Sequence, residues 1–202
     1  MTVQPDEWAT LKKIGDGYEL RYVRDFAHER ARLWAAVTEP DETVRWWAES
    51  RVDLRVGGQF RVRWLNGDDG EPREWLDGRI VELEPPRHTA HSAIEFTNEA
   101  HGLLRFEFEP TPIGTRLVFV AKSTPPEEKY VAMLLAGWHI HLDHLGAVLD
   151  GTVDRIDWPR WNRDHLPRWQ VLHERYLLAT GQRRRDTGMT VVAAPERGSA
   201  ER

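Results

Sequence analysis

Four side chains able to bind a metal or move a proton fall within one short stretch: His139, His141, Asp143 and His144. Imidazole and carboxylate are common ligands for zinc and related ions, and imidazole titrates close to neutral pH, so the stretch invites either chemistry. Helical spacing narrows the choice. His139 with Asp143, or His141 with His144, stand at chelating separation, whereas His139 and His141 point to opposite flanks and cannot share an ion. The simpler reading is of polar residues bordering a buried apolar stripe, and neither a metal nor a cofactor is expected. His141 is kept as a group able to lean into a cavity, where it would orient a ligand or act as an acid or base. His88 and His91 fall on opposite faces of one expected strand, so only one of them points inward.

Other catalytic machinery is missing. Cysteine is absent, which removes disulfides, thiol catalysis and thiolate metal sites together. No G-x-x-x-x-G-K-[ST] loop is present, so Gly57-Gly58 is not read as a phosphate cradle, and no G-x-S-x-G elbow exists. The acidic pairs Asp68-Asp69 and Glu127-Glu128 fall at turns or helix starts, where they stay wet or favour the helix dipole. The net charge of -5 argues against a nucleic-acid partner, and Arg183-Arg184-Arg185 reads as a solvated run in a tail. Residues Met1–Trp8 carry acids and a proline rather than the pattern of a signal peptide. No apolar run approaches the roughly 20 residues of a membrane span, and a cytoplasmic location is expected.

What the chain has in quantity is aromatic surface, including 10 tryptophans. Trp46, Phe60, Val62, Trp64, Leu104, Phe106, Phe119, Trp138, His141 and Leu142 are the candidate lining of a ligand cavity. The competing reading of the same residues is that they fill a core.

The elements that would position these side chains follow from periodicity. Residues 1–17 read as an arm ending at the turn Gly15-Asp16-Gly17. Tyr18 to Phe26 alternates as a strand; His28 to Val37 has helical spacing; Pro40 opens a second short helix that Thr38 could cap and that runs to Trp46-Trp47. The period then becomes two: Val52, Leu54 and Val56, then Phe60, Val62 and Trp64, then Leu104, Phe106 and Phe108 alternate with charged residues. Gly78–Leu83 and His88–Phe96, joined at Pro85-Pro86, and Gly114–Lys122 complete a set of antiparallel strands. After Pro125-Pro126, Val131, Leu134, Leu135, Trp138, Leu142, Leu145 and Leu149 form one helical stripe that Gly151 stops. Residues 152–180 read as a helical extension whose last helix, Pro167–Ala179, packs through Trp169, Leu172 and Tyr176 on the domain or on a second subunit. Residues 181–202 read as a disordered tail.

This order of elements resembles the helix-grip, START-like fold, and the residues resemble one branch of that superfamily. Trp34 to Thr38-Glu39-Pro40, Arg45-Trp46-Trp47, Asp53-Leu54-Arg55-Val56-Gly57-Gly58-Gln59-Phe60, Gly78 to Pro86, Gly114-Thr115-Arg116-Leu117 and Gly137-Trp138 are similar to the family named after the activator of the heat-shock protein 90 ATPase. The resemblance covers residues 18–151. It implies an α+β fold: a curved antiparallel sheet of about six or seven strands gripping a long C-terminal helix, with two short helices after the first strand and often a hydrophobic cavity between sheet and helix. It implies no fixed catalytic set. Three functions fit: a module binding a small hydrophobic or aromatic molecule, which is preferred; a protein-interaction or chaperone-cofactor role; and an aromatase/cyclase-type enzyme using cavity polar groups such as His141.

Overall fold

The computed structural model describes residues 8–67, 71–86, 91–123 and 128–181. The expectations for Asp68-Asp69, His88, Pro125-Pro126, Glu127 and Arg183-Arg184-Arg185 lie outside these residues. The strands are β1 (Thr10–Ile14), β2 (Gly17–Phe26), β3 (Glu49–Val52), β4 (Phe60–Arg63), β5 (Ile80–Glu84), β6 (Ala93–Asn98), β7 (Gly102–Thr111) and β8 (Gly114–Ser123). The helices are α1 (Arg30–Thr38), α2 (Pro40–Trp46), α3 (Val131–Leu149), α4 (Trp161–Asp164) and α5 (Leu166–Ala179).

Six strands form one antiparallel sheet in the order β1-β2-β8-β7-β6-β5. Alternation decides which side chains meet on its inner face. Ile94, Phe106, Phe119 and Tyr22 are opposite one another in register across β6, β7, β8 and β2, and all four are buried. Such cross-strand aromatic and branched neighbours are the unit of sheet stabilisation. The β3–β4 hairpin extends the sheet past β5, because Phe60 N–H donates to the Gly78 carbonyl (2.9 Å) and Val62 and Leu76 exchange both bonds. The turn between β3 and β4 needs both its glycines. Gly57 has φ +79°, and a Cβ on Gly58 would collide with the Asp53 carbonyl oxygen.

Above this face lie α1, α2 and α3. Trp47, fully buried at the end of α2, is the centre of the aromatic core, with Trp138, Trp46, Phe96, Phe60 and Phe106 all within 6.4 Å of its ring. Helix α3 ends as its sequence implies. Gly151 takes φ +68°, Thr152 N–H reaches back to the Ala147 carbonyl (2.9 Å) and Gly151 N–H to that of Val148 (3.2 Å).

Several sequence expectations need correction. The arm expected over 1–17 holds a strand, β1, hydrogen-bonded along the edge of β2. The strand expected through Val56 stops at Val52; Leu54 and Val56 enter the glycine turn and are exposed. Thr38 does not cap α2, since its hydroxyl donates back to the Trp34 carbonyl within α1 (2.9 Å). The strand expected from His88 begins only at Ala93, leaving His91 exposed beside Glu84.

The extension folds back along α3. Trp158 Nε1–H donates to the Val44 carbonyl (2.7 Å), Ile156 N–H to that of Arg45 (2.8 Å), and Arg45 pairs with Asp154 (3.2 Å). Farther on, Arg168 pairs with Asp143, while Leu172 and Tyr176 of α5 are buried. No helix among the described residues is long and apolar enough to cross a membrane.

Two outcomes follow for stability. Trp47→Ala removes the ring that most of the aromatic core touches and is expected to cost about 3–5 kcal/mol in urea unfolding. Ending the chain at Gly151 strips the cover from α3, so the shortened protein is expected to melt at lower temperature and to self-associate in size-exclusion chromatography.

Candidate functional site

A pocket of about 510 Å³ opens where one end of the sheet, α3 and the extension meet. Helix α3 supplies Met133, Leu134, Gly137, Trp138, Ile140 and His141. The facing wall is the extension, through Trp161, Asn162, Leu166 and Trp169. Trp64, Asn66, Arg73 and Leu76 come from the segment between β4 and β5, Ala100 and His101 from the β6–β7 turn, and Ser123 and Tyr130 from either side of the approach to α3. Local structure explains the placing of His101. The Asn98 carboxamide oxygen accepts from Ala100 and His101 N–H (3.0 and 3.1 Å), folding the turn so that the imidazole sits between Trp64 (5.0 Å between rings) and Trp138 (5.7 Å). His141 meets Trp138 edge-on at 6.0 Å.

The lining residues are therefore largely aromatic, with buried polar atoms behind the pocket surface. Trp138 Nε1, Trp161 Nε1, His101 Nδ1 and His141 Nδ1 are all buried without a protein partner. Burial pushes both imidazoles down to a pKa of about 4, so they are neutral at pH 7. A neutral imidazole donates from one nitrogen and accepts at the other.

The remaining histidines of α3 serve packing against the extension. His139 Nδ1 is hydrogen-bonded to the Tyr176 hydroxyl (2.9 Å), and burial lowers its pKa to about 4 against the opposing pull of Asp143. His144 is enclosed by Trp158 and His165, with ring centroids 6.3 and 4.5 Å away, and burial holds its pKa down at about 2. These side chains do not border the stripe, as expected from spacing; they are buried, because the extension covers the second face of α3. Among the described residues, only Glu82, Glu84 and His91 bring three ligand atoms together, and Glu82 is already held by the Arg105 guanidinium (2.6 and 2.9 Å).

The expected lining is divided by the structure. Trp64, Trp138 and His141 border the pocket. Trp46, Phe60, Val62, Leu104, Phe106, Phe119 and Leu142 do not, and are corrected to core residues. Their rings close on one another: Phe60 stacks on Phe96 at 3.8 Å, Phe119 lies 4.3 Å from Trp138 and 4.7 Å from Phe106. His101, Gly137, Trp161 and Trp169 were not among the expected lining. The concentration of tryptophan in the extension was the available signal for the last two.

Residues 27–150 match the family model described as Activator of Hsp90 ATPase homolog 1-like protein. No curated protein matches the chain. Among solved structures, CalU16 from Micromonospora echinospora is 22% identical, with 86% of this chain and 94% of that one covered at a TM-score of 0.57. The conserved protein EF2215 from Enterococcus faecalis is 19% identical, covering 87% and 92%, with a TM-score of 0.62. DynU16, a protein of the dynemicin biosynthetic locus, is 20% identical over 69% of this chain and 50% of its own, with a TM-score of 0.55. At these identities the likeness is one of fold.

The neutral histidines make stability depend on pH. Their folded pKa values lie below the ordinary 6.5, so the unfolded chain takes up protons that the folded chain refuses. Stability is full above about pH 6.5 and falls as pH drops toward the folded values. Replacing His144, which has neither ring nitrogen hydrogen-bonded, isolates its share. His144→Leu is expected to lessen the loss of unfolding free energy between pH 7.5 and pH 5.0 by about 2 kcal/mol, measured by urea titration at each pH.

Proposed function

This chain belongs to the Activator of Hsp90 ATPase homolog 1-like family, and on that footing we propose that it binds a small hydrophobic or aromatic molecule in the pocket between α3 and the extension. The observation that carries this reading is Gly137. Glycine in the middle of a helix is unfavourable by roughly 0.5–1 kcal/mol relative to alanine, so a packing reason is the first one to seek. There is none: a Cβ built at Gly137 meets nothing within 4 Å, and its φ is an ordinary helical one. The missing side chain instead leaves room in the pocket, which Trp64, Trp138, Trp161 and Trp169 also line. Such a lining, mostly apolar and aromatic with a few buried polar atoms, suits a flat apolar ligand.

Proton transfer by His141 is the weaker reading. With a pKa of about 4 it is uncharged at pH 7 and a poor acid and a poor base there, which suits it to hydrogen bonding rather than catalysis. The reading of the family as partners of other proteins would draw on exposed apolar side chains, Leu54 and Val56 of the glycine turn and Val171 and Leu178 of α5 among them.

Two substitutions at one position test the proposal. Gly137→Ala is expected to raise the unfolding free energy by about 0.5–1 kcal/mol, as a helix interior with space for the methyl group requires. Gly137→Phe is expected to fold and yet lose binding of fluorene-2-carboxylate, a soluble flat probe, read by calorimetry and by quenching of tryptophan fluorescence. Equal binding by Gly137→Phe and the unsubstituted protein would place the ligand elsewhere. Native mass spectrometry of the purified protein offers an independent check through any co-purified small molecule.

A further inference from the structure

We infer that α4 and α5 form an acid-released latch on α3: protonation of His144 and His139, in the layer between them, lifts the two helices away while the sheet and α3 stay folded. The latch closes one side of the pocket through Trp161, Asn162, Leu166 and Trp169. Release therefore also unloads a ligand held there. That consequence rests on the proposed function, whereas the release itself does not.

The packing around His144 carries the inference. The side chain is 4% exposed and neither ring nitrogen has a protein partner. Opposite it stands His165, at the junction of α4 and α5, with ring centroids 4.5 Å apart. His141 of α3 and His165 and Arg168 of the extension all oppose a positive charge there, and Trp158 contributes an aromatic ring. Only the Trp46 carbonyl at the end of α2 favours one. The carboxylates of this layer are committed elsewhere: Asp164 accepts from Arg163 (2.6 and 3.0 Å), and Asp143 is paired with Arg168. A charged imidazole at this position is buried and unpaired until the layer opens to water.

His139 repeats the arrangement. It is hydrogen-bonded to Tyr176 of α5 (2.9 Å), with the rings of Trp8 and Tyr22 beside it. Arg24 of β2 and Arg168 and Arg175 of α5 oppose its protonation, against the single carboxylate of Asp143. The chain also has a place to bend. Up to Trp158 the extension is pinned to α2, through Ile156 N–H on the Arg45 carbonyl and the Trp158 indole on the Val44 carbonyl. Beyond Pro159 and Arg160, its hold on α3 passes through the histidine layer.

The sign of the response follows. A released imidazole regains a pKa near 6.5 and takes a proton that the docked ring refuses, so released protein gains on docked protein as pH falls below 6.5. Between pH 7.5 and pH 5.5 the ratio is expected to rise about tenfold for each of the two histidines, about a hundredfold together.

Because the chain has no cysteine, pairs of spin labels can be placed on introduced cysteines and their separation read by pulsed double electron resonance. Ile113→Cys with Leu178→Cys, both at exposed positions, relates the β7–β8 turn to the end of α5. This pair is expected to give one distance at pH 7.5 and a second, broader population at pH 5.5. Ile113→Cys with Leu54→Cys lies within the sheet region and is expected to keep its distance. Adding His144→Leu is expected to cut the hundredfold change to about tenfold, and His144→Phe, which keeps an aromatic ring, gives a second variant for the same comparison. An unchanged Ile113–Leu178 distribution, or a pH response undiminished in both variants, would overturn the latch. So would simultaneous broadening of the Ile113–Leu54 pair, since the whole domain would then be unfolding. Fluorene-2-carboxylate is expected to bind at pH 7.5 and to be lost over the same range; if it binds at neither pH the pocket reading fails, and the label distances still decide the latch.

Discussion

Helix α3 is buried on two opposing sides, and the rest of the structure depends on that arrangement. Toward the sheet it presents Trp138, packed against Phe119, Phe106 and Trp47. Away from the sheet it presents His139 and His144 to Tyr176, Trp158 and His165. A helix with one wet face would be satisfied by the sheet alone. This one has 13 of its 19 residues buried, so it requires a second layer, and the extension is that layer. The pocket is what remains where the second layer does not fully close on the first.

That geometry also explains the unusual use of histidine. Imidazole offers a flat, partly apolar body with polar edges, and it can be buried neutral where a carboxylate or an ammonium group could not. At His139 the polar edge finds the Tyr176 hydroxyl, and that same hydroxyl accepts from Ala9 N–H (3.3 Å). At His144 neither nitrogen is satisfied, which is the more expensive solution. The layer between α3 and the extension is thus held by aromatic packing and a few hydrogen bonds, with the Arg168–Asp143 ion pair at its partly solvated border.

Much of the fold was legible in the sequence because its strands alternate cleanly. Leu104, Phe106 and Phe108 announce a strand with one buried face, and they occupy that face of β7. Where the signal failed, it failed for physical reasons. Strand β1, with Leu11 among Thr10, Lys12 and Lys13, is an edge strand wet on nearly every residue, so it carries no alternation to read. Val52, Leu54 and Val56 alternate as a strand does, yet the backbone must turn before the paired glycines, and local geometry overrides pattern. For the site, period tells which side chains point inward but not whether those side chains meet one another. Phe60, Phe106 and Phe119 point inward and close on their neighbours, whereas Trp64 reaches the margin and is left facing space. Gly137 carried a signal of its own, a helix-breaking residue in the middle of a strong helix, whose meaning depends on knowing that the space beside it is open.

The Tyr176 hydroxyl joins the beginning of the described chain to its last helix, because Ala9 donates to it and Trp8 packs edge-on against its ring at 5.2 Å. Strand β2 in turn finds its partner β8 only some ninety residues later. A chain made from its N-terminus can assemble the sheet and α3 once β8 and the helix have been synthesised, but α5 must arrive before the ends can lock. Until then the histidine face of α3 stands open and one wall of the pocket does not exist. The pocket is therefore complete only after α5 has been made, and it is completed by closing a ring of contacts between segments that lie far apart in the chain.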